Sequence, residues 1–321
     1  MSGRPLIGFV ARRLVALVLL LIVISFLVFT LLYLAPGSAE QALLGTRPSS
    51  PQLLATLRAQ YHLDDPFLQQ YWLWLSHAAQ FDFGESIRTG RTVTDSIGAR
   101  IPVTLFLGVY SFVIALLLGI PLGVLAAVRR RGAVDRAVVS LTVFGVSTPA
   151  FVSGVFLLYV FAVALGWMPS YGAGTGFFDR LWHLTLPAVA MSLIAMALLI
   201  KLTRTAMVTA LEQDYVAFAQ ARGVPMREVI VRYALRNALV PIVTAAGLVL
   251  NVVLTGTVLV EATFALPGLG SLLVEAVQNK DVPMLQGVAI VFAAITICVN
   301  LLVDLAYTVV DPRIRFERGA A

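Results

Sequence analysis

Acidic and basic side chains gather in one stretch of this chain. Between Glu212 and Pro241 stand Glu212, Asp214, Arg222, Arg227, Glu228, Arg232 and Arg236, with long apolar runs on both sides. Elsewhere the ingredients of catalysis are thin. His62 and His77 lie fifteen residues apart with no thiolate or acidic cluster to complete a ligand set, the pattern of interface histidines rather than of metal ligands. There is no G-x-x-x-x-G-K-[ST] phosphate loop, no H-E-x-x-H helix and no G-x-S-x-G elbow. No catalytic residue, metal site or cofactor of its own is therefore assigned. Polar groups within or beside apolar runs include Ser147, Thr148, Asn251, Thr255, Thr257, Glu261 and Asp304. Of these, Ser147, Thr148, Asn251, Thr255 and Glu261 are the candidates for lining a pathway or gate. For the hydroxyls, bonding to their own helix is the simpler expectation. Glu261 is expected to tie down an outer loop or gate, and Asp304 to pair with a base near the inner face.

The elements that hold these groups are membrane helices. The 321 residues are 59% hydrophobic and only 12% charged, against about 25% charged in a soluble domain. The apolar runs are long rather than alternating over ten residues, which favours helices over a barrel. The net charge of +6 is read as orientation by inner Lys and Arg rather than as affinity for nucleic acid. Cys298, the one cysteine, sits in an apolar run and is read as buried filler.

In order, the spans are expected at 14–34, 101–128, 137–165 (interrupted at Ser147-Thr148-Pro149), 184–202, 242–260 and 287–310. The first is too long for a signal core and lacks a small-x-small cleavage site, so it is expected to be retained. Residues 36–100 are polar by comparison and carry Tyr61, Tyr71, Trp72 and Trp74, which suits a helical extracytoplasmic lobe at the membrane interface. Outer loops are expected at 166–183 and 264–285. Arg129, Arg130, Arg131 and Arg136 crowd one short turn, whereas the two short outer loops hold only Arg180 and Lys280. That asymmetry puts both termini in the cytoplasm. A bilayer core excludes a segment as charged as 212–241, so it lies outside, on the inner side. Its pattern is a helical hairpin. The Ala-rich 214–222 forms one helix, Gly223 ends it, and Pro225 fits the first turn of the next. Met226, Val229, Ile230 and Tyr233 recur there at helical spacing.

Arg204, Asp214-Tyr215-Val216, Ala219, Ala221-Arg222-Gly223, Tyr233-Ala234-Leu235-Arg236-Asn237-Ala238 and Pro241 together resemble the EAA loop of ABC-transporter permeases, the dipeptide and oligopeptide importer branch above all. The resemblance extends along nearly the whole chain. It includes Arg13-Leu14, Ala35-Pro36-Gly37, Phe83-Gly84-Glu85-Ser86, Ile101-Pro102-Val103-Thr104-Leu105, Ser147-Thr148-Pro149-Ala150-Phe151, Val260-Glu261-Ala262-Thr263-Phe264, Pro267-Gly268-Leu269-Gly270 and Asp311-Pro312-Arg313. Where the general motif has Glu-Ala-Ala, this chain has Ala217-Phe218-Ala219, with Glu212 and Asp214 upstream.

The resemblance implies an all-α integral membrane protein with six transmembrane helices and the type I ABC importer permease fold. Residues 1–100 would form the first span and outer lobe, and 101–321 a five-helix core with a coupling loop at 204–241. It implies a subunit of an ATP-driven importer of short peptides in the inner membrane of a prokaryote. A second permease, two ATP-binding subunits that hold the ATP and Mg, and an extracytoplasmic binding protein would complete it. The coupling residues would be Glu212, Asp214, Tyr215, Ala217, Phe218, Ala219, Gly223, Arg236, Asn237 and Pro241. Nickel chelates and glutathione are alternative cargoes within the branch, and a passive channel or scaffold is the alternative outside it.

Overall fold

A computed structural model describes residues 4–34, 44 and 50–310. Two stretches singled out above, Ala35-Pro36-Gly37 and Asp311-Pro312-Arg313, lie outside the described residues. The helices are α1 Arg4–Leu34, α2 Pro51–Gln60, α3 Phe67–Ala78, α4 Val93–Val128, α5 Ala133–Ser147, α6 Ala150–Ala164, α7 Gly176–Leu211, α8 Asp214–Ala221, α9 Met226–Thr263, α10 Leu269–Gln278 and α11 Val282–Val310. Leu158–Ala164 within α6 and Val229–Leu235 within α9 are wound as π-helix.

Among the described residues, five helices, α1, α4, α7, α9 and α11, are long and apolar enough to cross a membrane, and the pair α5–α6 makes a sixth if its two limbs count as one span. Those limbs meet at 104°. The break follows from Pro149: the residue before a proline is pushed out of the helical region, and Thr148 is extended at φ −105°, ψ 118°. The single interrupted span expected over 137–165 is thus two helices set at a steep angle. The outer segment 264–285, expected as a loop, contains α10. Its Leu269, Leu272 and Ala276 are buried at helical spacing, so tertiary packing supplies what a ten-residue helix lacks alone.

The chain divides into two compact units, Met1–Thr104 with Pro267–Val299, and Leu105–Leu266 with Asn300–Ala321. In the first, α1 gains a buried face toward its end. Its first half, with Leu14, Val15, Val18, Leu19 and Val23, is exposed as suits lipid; in its last turns Leu27 and Leu31 stay exposed while Ser25, Val28, Phe29 and Leu32 are buried one turn apart. Against that buried face lies α3, whose Phe67, Tyr71 and Trp74 form a stripe at helical spacing. Phe29 packs on all three rings with centroids 5.5–5.6 Å apart. The hydroxyls of Ser25 and Tyr71 meet at 2.8 Å. A second core joins Phe83, Val93 and Ile97 to Leu269, Leu272, Met284 and Val288.

The second unit is built on α7, much of which is buried against α5, α6 and α9. Small residues let helices approach closely, the usual device where lipid replaces water outside. At Gly123 of α4 an added Cβ would stand 2.7 Å from Thr203 Cβ and 2.9 Å from the Ile200 carbonyl of α7. Between α5 and α7, Arg204 grips Asp135 with two bonds, Nε to Oδ1 at 2.6 Å and Nη2 to Oδ2 at 2.7 Å. The Arg131 N–H adds a third at 2.8 Å.

Candidate functional site

The charged segment 212–241 folds as a hairpin. Helix α7 ends at Leu211, Gln213 is extended at φ −80°, ψ 151°, and α8 begins at Asp214. The side chain of Glu212 is ion-paired with Arg130 from the basic turn. Helix α8 buries Val216 and Ala219, three apart, against Val229 of α9, with Tyr215, Val224 and Tyr233 closing the cluster. Asp214, Ala217 and Phe218 face outward, and the Phe218 ring is 70% exposed.

The turn is a Schellman motif. Val224 N–H donates to the Ala219 carbonyl at 3.1 Å and Gly223 N–H to the Gln220 carbonyl at 2.9 Å. Gly223 has φ +76°, the left-handed conformation that such a cap requires. Pro225, at ψ 143°, stands immediately before α9 rather than inside its first turn. Its carbonyl accepts from Glu228 and Val229 at 2.9 and 3.1 Å, opening the helix. The π-helical stretch follows, with Arg232 bonded to Glu228 at 2.5 Å. Ala234, Ala238 and Ile242 of α9 are buried against Ala127, Met207 and Ala210. The hairpin is therefore packed onto the ends of α4 and α7 and continues without a break into the membrane helix. Pro241 lies inside that helix and has no N–H to give the Asn237 carbonyl. Asn237 turns its own amide back to the Tyr233 carbonyl at 2.7 Å.

Of the residues picked from sequence, Glu212, Asp214, Ala217, Phe218, Gly223, Arg236, Asn237 and Pro241 lie on the exposed side. Tyr215 is half-buried. Ala219 is 5% exposed and belongs to the hairpin's own core. The Ala217-Phe218-Ala219 step thus splits across two faces, with Phe218 outward and Ala219 inward.

The pathway candidates separate. Asn251 and Thr255 line a mostly apolar groove of about 480 Å³ beside Pro149 and Phe151. Ser147 lies on a different cleft of about 450 Å³ that Lys201 and Arg204 also border. Thr148, Asn251 and Thr255 bond carbonyls one turn back, at 3.1, 3.3 and 3.0 Å. Glu261 is fully buried, and its carbonyl takes the Leu266 N–H at 2.9 Å where the chain leaves α9.

Sequence reasoning missed Asp281. It is 4% exposed and receives the Ser86 hydroxyl, the Ile87 N–H and the Met284 N–H. The signal was present: an acid three residues ahead of Met284, with proline between, is an N-cap pattern. Thr104, within the Ile101–Leu105 motif, accepts the Leu269 N–H at its Oγ1 at 2.8 Å. That bond ties Ile101–Leu105 to Pro267–Gly270.

Two family models match. Residues 119–316 match the binding-protein-dependent transport system inner membrane component, and residues 6–108 match the N-terminal membrane component of the same systems. Among curated proteins, the glutathione transport system permease GsiC of Shigella flexneri serotype 5b (strain 8401) is 37% identical over 312 residues, covering 97% of this chain and 100% of that protein. The GsiC protein of Escherichia coli (strain K12) is 36% identical over the same length and coverage. Among solved structures, an inward-facing form of the MetNI methionine ABC transporter aligns with a TM-score of 0.58 at 17% identity, covering 67% of this chain and 96% of that one. A second form of the same transporter gives 0.53 at 19% identity, covering 68% and 94%. These structures share the fold.

Proposed function

This chain belongs to the family of binding-protein-dependent transport system inner membrane components, the permeases of ABC importers, and on that premise we propose that it carries short peptides inward. It is a transport subunit. The energy comes from ATP bound with Mg on two separate ATPase subunits, and α8 is the helix that seats in them. A second permease completes the pathway, and a binding protein outside delivers the cargo. The complex sits in a prokaryotic inner membrane, with the hairpin and both termini in the cytoplasm.

The observation that carries this reading is the two-faced helix α8. Its inner face, Val216 and Ala219, is fully used within the chain. Its outer face presents Phe218 with nothing over it, flanked by small Ala217 and acidic Asp214. A 70%-exposed aromatic beside small residues on an otherwise charged hairpin suits a buried anchor in a complex, the residue class that dominates interface energetics. The packing of α9 onto α4 and α7 gives a route by which a displacement of α8 reaches the membrane helices as a rigid-body shift.

Glutathione is the first cargo to test. The curated relatives carry its name, and it is itself a tripeptide, so it falls within the same chemical class. The experiment is uptake of labelled glutathione and of unmodified di- and tripeptides into proteoliposomes holding the assembled transporter. ATP-dependent accumulation of any of them supports the reading. Accumulation of none, in vesicles whose ATPase responds to some other solute, overturns the peptide assignment.

A further inference from the structure

The first unit encloses a cavity of about 230 Å³ that the transport reading does not use. Rings of Phe29, Trp74 and Phe83 wall it, and Gln286 lines it from α11. Gln286 is 5% exposed, and its Nε2 is shut off from solvent without a hydrogen-bond partner. A buried amide donor left unpaired opposes folding, and native proteins rarely keep one without a reason. The terminal amide torsion of glutamine is soft, so the group can turn its donor toward an occupant.

Asp82 and His77 stand on the cavity's open side, with side chains 62% and 61% exposed. The Asp82 carboxylate accepts the Gly84 N–H at 3.0 Å and faces His77 at 3.2 Å, which leaves lone pairs for another donor. Aromatic faces beside a carboxylate attract an ammonium group. A free carboxylate would meet repulsion there. An apolar cavity of about 150 Å³ is enough for a benzene ring, so this one holds a ring and several further atoms.

We infer that the cavity is a binding site for a primary ammonium with an adjacent carbonyl and an apolar or aromatic side chain, as found at the amino end of a short peptide. The ammonium sits toward Asp82 and the rings. The carbonyl accepts from Gln286. The side chain packs on Phe29 and Phe83. That the natural ligand is a peptide rests on the function proposed above, whereas the cavity's chemistry does not.

The test uses the full-length chain in nanodiscs and three probes. Phenylalaninamide carries all three features, phenethylamine lacks the carbonyl, and N-acetylphenylalaninamide lacks the charge. Calorimetry is expected to show phenylalaninamide binding at least about tenfold tighter than either of the others. Gln286→Leu should bring it down to the phenethylamine level and raise the melting temperature of the unliganded protein, because the orphan donor is gone. Asp82→Asn should erase the preference over the N-acetyl probe. Equal affinity for all three probes, or unchanged selectivity in both variants, overturns the site. If the probes fail to bind while peptide uptake proceeds, the site is lost and import stands. If phenylalaninamide binds selectively while no peptide is transported, the site stands and import is lost.

Discussion

Ser86 donates its hydroxyl to the carboxylate of Asp281 at 2.5 Å, across 195 positions of sequence. Ser86 follows the stretch Phe83-Gly84-Glu85 and opens a tight turn at 87–89, whose Gly90 N–H donates to the Ser86 carbonyl at 2.9 Å. Glu85 pairs with Thr92 across an antiparallel bridge, and Ser86 N–H donates to the Arg91 carbonyl at 2.9 Å. The turn then presents its hydroxyl and the Ile87 N–H to one buried acid. Asp281→Ala should leave these donors and the cap of α11 unpaired. The expected loss is at least about 3 kcal/mol, with Ser86→Ala costing about 1.5–3 kcal/mol as a single bond to a charged group. Thermal unfolding in detergent, read as loss of the monodisperse peak, checks the order; equal stability of Asp281→Ala and the parent would contradict it.

Arg204 and Asp135 join α7 to α5 through two parallel bonds. Lysine offers a point charge and cannot reproduce the fork. Arg204→Lys should therefore destabilise the second unit. Asp135→Ala should cost more, about 3–5 kcal/mol, because it strands a partly buried guanidinium. Proteolysis at the basic turn, faster in Asp135→Ala than in Arg204→Lys, is the expected readout.

Ala217 and Ala219 are two residues apart and face opposite ways. Ala219→Glu places a carboxylate against Val216 and Val229, in the hairpin's core. It should open the hairpin, so that protease cuts near Gly223 even in the isolated chain. Ala217→Glu should leave the isolated hairpin resistant and impair only its union with the ATPases. Identical behaviour of the two variants would remove the distinction between the faces.

Gly223 at φ +76° has open space around an added Cβ, so Gly223→Ala meets strain without a clash. The expected cost is about 1–2 kcal/mol. Gly223→Pro also deletes the N–H that caps Gln220, and should be clearly worse. Hydrogen exchange over 214–224 measures both; slower exchange in Gly223→Pro than in Gly223→Ala would be the contrary result.

Much of this was legible from residue order. The apolar runs gave the long helices, because a bilayer leaves little alternative for such stretches. Gly223 and Pro225 marked the hairpin turn, since each has a backbone preference that acts locally. What escaped was set by tertiary packing. Helix α10 is short and sits in a segment rich in turn residues, and its stability comes from packing against Phe83, Val93, Ile97, Met284 and Val288. The 104° bend at Thr148 was visible as an interruption, but its angle depends on what each limb packs against. The capping bond of Asp281 to Met284 had a local signal, but its bond to Ser86 did not, because that partner is remote in sequence. Ala219 stands with Ala217 among the coupling residues that the resemblance implies, and its packing with Val216 and Val229 shows which way it points.

The most direct measurement replaces Phe218 with a photocrosslinking phenylalanine analogue in the assembled transporter. Irradiation should join this position to an ATP-hydrolysing subunit, with a yield that changes between nucleotide-free and ATP-bound states. Crosslinks to lipid alone, or none to an ATPase in a complex that hydrolyses ATP normally, would contradict the assignment of α8 as the coupling helix.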